Sequence, residues 1–133
     1  MKRYIIHTSD STWGNAAEIT CWHTQGNGWK TIGYHYVILN GWIANGVFDE
    51  YFDGHLETGR SPESGGAHTR GQNDAIGICL IGMSGLHTNR QYEELKRFLD
   101  MERDKYGEIE VTQHSQWDDK KEHCAGINIE DFR

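Results

Sequence analysis

The sequence predicts an α/β fold, with a single mixed central β-sheet flanked by helices. Three observations carry that expectation. Short β-prone runs alternate along the chain with stretches of helical period. The run Ala75-Ile76-Gly77-Ile78-Cys79-Leu80-Ile81 is continuous and apolar, as in a central strand covered on both faces. Thr88-Asn89-Arg90-Gln91 reads as a capping box that opens an amphipathic helix.

Taken in order, Arg3 to His7 forms the first strand, with Tyr4, Ile5 and Ile6 apolar and β-prone. Asn15 to His23 reads as a short helix, its Ile19 and Trp22 spaced i, i+3. Gly33 to Leu39, rich in Tyr, Val and Ile, is a second strand, and Asn40-Gly41 after it is a hairpin signal. Gly41 to His55 is aromatic and Gly-rich without clear period, so an extended loop or irregular hairpin is expected there. After the apolar run, Tyr92, Leu95, Phe98 and Leu99 form the buried stripe of a helix from Thr88 to about Tyr106, ended by Gly107. Glu108 to Gln113 alternates polar residues with Ile109 and Val111 and reads as the last strand.

Composition narrows the function. The 133 residues are expected to form one domain, 1–133. Thirteen Lys+Arg stand against twenty Asp+Glu, a net charge of −7, and no basic cluster is present, which argues against a nucleic-acid partner. The longest apolar run is far short of the roughly 20 residues a membrane helix needs. The first residues show no apolar core of signal-peptide length, so neither membrane insertion nor export by a leader is expected. Three cysteines make no disulfide framework and suit a reducing compartment, leaving at least one thiol for another role. Eight histidines are the anomaly to follow.

Two of them sit where strands end. His7 closes the first strand and His114 the last, and sites in open α/β sheets form at the carboxyl ends of strands. If these strands are parallel neighbours, both imidazoles emerge on one edge. Cys124 follows in a polar loop, and two neutral imidazoles with one thiolate leave a fourth position open on a tetrahedral zinc, as in catalytic sites. Spacing alone does not single this triple out, because eight His and three Cys offer many such triples. Elsewhere, Cys21 and Cys79 read as small hydrophobes, and His23 reads as a helix-packing residue. His35 points to the opposite face from Tyr34. Trp13, Trp29, Trp42 and Trp117 suit a glycan groove and an aromatic core equally.

Five segments go further. They are Tyr4-Ile5-Ile6-His7-Thr8-Ser9, Gly28-Trp29-Lys30-Thr31-Ile32-Gly33-Tyr34-His35-Tyr36, Gly66-Ala67-His68-Thr69-Arg70-Gly71-Gln72-Asn73, Ala75-Ile76-Gly77-Ile78-Cys79-Leu80-Ile81-Gly82, and the terminal His114 with Cys124. In that order, over nearly the whole chain, they resemble the zinc-dependent N-acetylmuramoyl-L-alanine amidases of the phage-lysozyme and peptidoglycan-recognition-protein type. Gly41 to about His55 stands outside the resemblance and looks like an insertion. The resemblance implies the amidase fold, one Zn2+ ion held by His7, His114 and Cys124, and a catalytic tyrosine at Tyr34. It places His68 on the substrate groove and Asn73 beside it as a second substrate-binding residue. Two departures stand out. Two positions before the cysteine, phage members typically carry a lysine, whereas this chain has Glu122, preceded by Lys120 and Lys121. The proline that usually follows the cysteine is Ala125, which removes no ligand but weakens the expected rigidity of the ligand loop.

The implied reaction is hydrolysis of the amide between N-acetylmuramic acid and the L-alanine of the stem peptide, with peptidoglycan or a muropeptide as partner. A monomer without a separate wall-binding domain is expected. In that chemistry Tyr34 orients the water or donates to the oxyanion. Glu122, favoured on register, takes the water's proton and passes it to the leaving amine, and Lys121 or Lys120 stabilises negative charge. The missing leader fits a phage endolysin, cytoplasmic until released to the cell wall. It fits a muropeptide-recycling enzyme or an injected antibacterial effector as well. A non-catalytic peptidoglycan-binding module of the same fold and a cysteine hydrolase are the rival readings.

Overall fold

In the computed structural model, residues 1–28, 31–69, 71–72 and 74–133 are described. Their elements run β1 (Lys2–Thr8), α1 (Ala16–Cys21), β2 (Tyr36–Ala44), β3 (Val47–Thr58), β4 (Ile76–Leu80), α2 (Asn89–Tyr106) and β5 (Ile109–Gln113). A wide π-type turn, Trp22–Gly26, continues α1, and short 3-10 turns at His114–Gln116, Asp119–Lys121 and Ile129–Phe132 follow β5. The strands form one sheet in the order β3-β2-β4-β1-β5. β1 lies parallel to β4 and β5, and β2 parallel to β4, while β3 returns antiparallel to β2. This is the mixed α/β sheet the sequence predicts.

Parallel strands need cover on both faces, and the pleat divides their side chains accordingly. Tyr4, Ile6, Ile38, Ile78 and Leu80 pack toward Leu95, Phe98 and Leu99 of α2. Val37, Leu39, Cys79 and Ile81 pack on the other face against Ile19 of α1 and Ile32. Burying each large side chain of the α2 stripe contributes about 1.5–3 kcal/mol. No described helix is long and apolar enough to cross a membrane.

The predicted capping box forms, and it has a second use. Thr88 accepts from the Gln91 N–H at 3.1 Å, and the Gln91 Oε1 accepts from the Thr88 N–H at 2.9 Å. Gln91 is fully buried, and its Nε2 donates to the carbonyls of Ile38 at 2.9 Å and Ile81 at 2.8 Å. One amide thus caps α2 and ties it to the ends of β2 and β4.

The hairpin differs from expectation. Its turn falls at Asn45-Gly46, and Asn40-Gly41 lies inside β2. Asn40 is buried, its Nδ2 donating to the Thr12 carbonyl at 3.1 Å and its Oδ1 accepting from the Trp42 N–H at 3.0 Å. Gly41 has φ +92°, and a Cβ there would lie 2.5 Å from the Phe48 ring. The dipeptide therefore marks an irregularity where the β2–β3 register shifts. Of the two forms expected for Gly41 to His55, the irregular hairpin is the one present, with β3 running to Thr58 and the register shifting along it.

Replacing Gln91 by Met keeps helix propensity and approximate volume but deprives the Thr88 N–H and the Ile81 carbonyl of their partner. The Ile38 carbonyl keeps a second donor, the Ile81 N–H at 3.0 Å. Gln91→Met is expected to destabilise the protein by about 2–4 kcal/mol, measured as a lower urea midpoint with an unchanged slope.

Candidate metal centre

The β1–β5 register ends at Ile6 opposite Gln113, so the next residues on each strand are His7 and His114. Both leave the sheet at its carboxyl edge, as expected for parallel neighbours. His7, in register with Cys79 of β4, points to the α1 side. The two Nδ1 atoms stand 3.1 Å apart. The chain then turns through His114–Gln116 and Asp119–Lys121 and brings Cys124 back. Among the described residues these three form the cluster of metal-ligating side chains, their ligand atoms all within 4.8 Å of one another.

The donor set fits a zinc ion. Two imidazoles bound at about 2.0–2.1 Å in a tetrahedron place their nitrogens about 3.3 Å apart, close to the spacing seen here. Burial is the main cause holding His7 well below the usual imidazole range, helped by His68, His114 and the Lys121 ammonium. His114 is lowered mainly by burial as well, with Asp118 opposing. Both rings are therefore neutral at neutral pH, the state a metal takes. Burial pushes the Cys124 thiol up, while the Thr8 N–H, 3.3 Å from Sγ, and Lys121 favour its thiolate.

The Cys124 loop is fastened without the usual proline. Gln113 Oε1 accepts from the N–H groups of Ala125 at 3.2 Å and Ile127 at 3.3 Å, and its Nε2 donates to the Ile127 carbonyl at 3.1 Å. The Ser115 N–H donates to the Cys124 carbonyl at 2.6 Å. Alanine supplies an N–H that proline lacks, so the substitution is used rather than merely tolerated. Sequence reasoning missed Gln113; its position next to His114 was the available signal.

A cavity of about 420 Å³ opens over the cluster, its wall including Asp10, Tyr34, His114, Lys121, Glu122 and Cys124. The Tyr34 ring packs 5.0 Å from His7 and 5.5 Å from His23, whose Nδ1 accepts the Gly33 N–H at 2.9 Å. Burial is the largest of the influences that raise the Tyr34 phenol well above its usual range, with the nearby Cys79 and Cys124 sulfurs adding to it. Cys79 is fully buried in the cluster on the α1 face, as a small hydrophobe is. Lys120 and Lys121 border the cavity, and Glu122 stands at its exposed rim with its carboxylate 3.3 Å from His123 Nε2. His68 lies behind His7 rather than in the cavity wall, joined to His7 Nε2 through its Nδ1 at 2.9 Å. His35 lies behind His68, ring centroids 5.7 Å apart. Asn73, like Trp29, Lys30 and Arg70, lies outside the described residues. Trp13 packs on Trp22, Trp42 on Phe48, and Trp117 beneath Arg3; none of these three tryptophans is part of the cavity wall.

The described residues thus gather a His–His–Cys donor set at the carboxyl edge of a mixed α/β sheet. Residues 1–126 match the profile of the N-acetylmuramoyl-L-alanine amidase family, and the chain belongs to that family. It is similar to the endolysins of Klebsiella phage KP32 and Escherichia phage T7, 35% and 36% identical over 66 residues. Those matches cover 49% of this chain and 35% of each relative, so the matched segment spans about a third of the relatives' length. Among solved structures, the N-acetylmuramoyl-L-alanine amidase LysC from Clostridium intestinale superposes with a TM-score of 0.77 at 24% identity, over 96% of this chain and 78% of that one. Bumblebee PGRP-SA superposes at 0.71 and 25% identity, over 87% and 71%. These likenesses establish the amidase and peptidoglycan-recognition-protein fold.

His87 borders the site from the α2 side. Its Nε2 stands 3.0 Å from the Thr8 hydroxyl and its Nδ1 3.3 Å from the Tyr92 hydroxyl, and burial pushes its pKa down to about 4. Between pH 4 and about 6.5 the unfolded chain binds a proton there that the folded chain does not. The contribution of His87 to stability is therefore full above about pH 6.5 and falls as pH drops toward 4. A series of thermal melts should show this decline, and His87→Gln should make it shallower.

Proposed function

We propose that the chain hydrolyses the amide between the lactyl group of N-acetylmuramic acid and the L-alanine of the stem peptide in peptidoglycan, with one zinc ion at His7, His114 and Cys124. The observation that carries this reading is the 3.1 Å approach of the two Nδ1 atoms beside Cys124, on a cavity shared with Tyr34. Membership of the amidase family and the likeness to phage endolysins support it. When bound, zinc supplies a Lewis acid and a water of lowered pKa.

The chain's own residues do the rest. Tyr34 is held protonated by its burial, beside the Cys79 and Cys124 sulfurs. Its O–H donated to an oxyanion on the scissile carbonyl is a charge-assisted hydrogen bond, one made only as the transition state forms. The Lys121 ammonium, whose field reaches His7, His114 and Cys124, offsets negative charge building in the cavity. Glu122, at the rim, is free to swing inward, take a proton from the water and deliver it to the leaving amine. His68 and Asn73 were candidates for substrate contact; Asn73 keeps that role in this proposal, as a residue preceding β4. The protein acts as a monomer, an endolysin held in the cytoplasm until it reaches the wall.

Purified sacculi treated with the protein should release free stem peptides, identified by mass spectrometry. Glycan-strand cleavage would overturn the reading, and zinc-independent binding without turnover would indicate a recognition module. Removing the metal with a chelator should abolish activity, and one equivalent of zinc should restore it. Tyr34→Phe is expected to lower kcat about 10²-fold. Glu122→Ala should lower it by about 10² as well; full activity in that variant moves proton transfer to another group, and Lys121→Ala tested alongside identifies whether the ammonium takes part.

A further inference from the structure

His68 is buried, at 8% exposure, and no step proposed above uses it. Its Nε2 stands 2.9 Å from the Ala75 carbonyl oxygen and its Nδ1 2.9 Å from His7 Nε2. A carbonyl oxygen only accepts, so the proton of His68 sits on Nε2 and the neutral ring offers Nδ1 as an acceptor. Two lone pairs facing each other at 2.9 Å would repel. His7 therefore carries its own proton on Nε2, donated to His68. That leaves His7 Nδ1 bare, and this is the atom 3.1 Å from His114 Nδ1. The Thr69 hydroxyl flanks the same link, 3.1 Å from His68 Nδ1 and 3.2 Å from His7 Nε2.

The ring is held in a slot made by glycines. A Cβ on Gly77 would lie 2.6 Å from His68 Cγ, and one on Gly66 would lie 2.9 Å from its Nε2. Gly77 belongs to β4, on the parity that faces His7's side of the sheet, so the missing side chain is the space the imidazole fills. Behind it stands His35, ring planes at 79°, with Nδ1 accepting the Gly77 N–H at 2.9 Å and Nε2 donating to the Ser64 carbonyl at 2.7 Å. Backbone forms the walls, and backbone does not yield as a flexible side chain would.

We propose that His68 is a positioning residue that sets the tautomer of His7, through a relay from the Ala75 carbonyl to His68 and on to His7, so that His7 presents Nδ1 to the metal. The inference rests on the metal site proposed above. Ligating histidines commonly donate their second N–H to a carboxylate, a carbonyl or water. Here a neutral imidazole takes that place. It orients the ligand without adding negative charge to a site whose thiolate already cancels one unit of the ion's charge, which keeps the site's Lewis acidity high.

Two measurements test this. Long-range 15N–1H correlation spectra of the metal-free wild type should show His7 protonated on Nε2 and bare on Nδ1; a His7 protonated on Nδ1 overturns the relay without any variant having to fold. In competition with a chromophoric chelator, His68→Phe, which fills the slot but accepts nothing, should bind zinc about 10–100-fold more weakly. His68→Gln, whose carbonyl oxygen can accept from His7, should recover most of that loss. At saturating zinc the KM for a muropeptide should be unchanged in both variants. Unchanged zinc affinity in His68→Phe, or a raised KM with wild-type affinity, assigns His68 to the groove and overturns the proposal. A wild type that binds no zinc overturns the metal reading instead, and the tautomer spectrum then decides the relay alone.

Discussion

Parallel pairing of β1 with β5 is the interaction on which the rest of the structure depends. It aligns the carboxyl ends of two strands from opposite ends of the chain, so residues 107 positions apart come to 3.1 Å. The price of parallel pairing is cover on both faces, and α1 and α2 supply it from either side. Once β4 is added as β1's other parallel neighbour, Cys79 and Gly77 fall beneath the same edge. One is a buried thiol in the cluster against which Tyr34 packs. The other is a vacancy into which an imidazole fits.

Two glutamines hold this edge together, and both use all of their amide. Gln91 joins the start of α2 to the carbonyls of Ile38 and Ile81, at the ends of the strands beside β1. Gln113 joins the end of β5 to the loop bearing Cys124. Neutral amides make these ties insensitive to salt and pH, unlike ion pairs. Charge is kept for the cavity rim, where Lys121, Glu122 and Asp10 are solvated and can respond to what enters. Rigid neutral fastening below and mobile charge above is a division that the composition, with its even scatter of acidic and basic residues, does not display.

Much of the fold was legible because its signals are local. The apolar run before Gly82, the Thr88 capping box and the placement of His7 and His114 at strand ends each follow from a few adjacent residues. Asn40-Gly41 shows where locality fails. The same dipeptide serves a tight turn or a register shift, and here the choice was made by the Thr12 carbonyl and the Phe48 ring, neither of them a sequence neighbour. Gln113 was hidden, and the partners of His68 were not legible, for the same reason. A glutamine or a histidine has several polar atoms, and which of them matter is settled by groups that arrive from elsewhere in the chain. The motif located the His68 segment but not the side of His7 on which the ring would stand.

The clasp on the Cys124 loop has a consequence for what sets the shape of the site. Every tie that brings the thiol to the imidazoles runs to protein: Gln113 to Ala125 and Ile127, Ser115 to the Cys124 carbonyl, Thr8 to the sulfur. In a zinc finger the ion supplies the folding energy and the empty chain is unfolded. Here the loop's conformational entropy is offset by the chain's own hydrogen bonds as β5 joins the sheet. The geometry of the three donor side chains is thus set by main-chain and amide hydrogen bonds of the chain itself, from β1, β5 and the loop together.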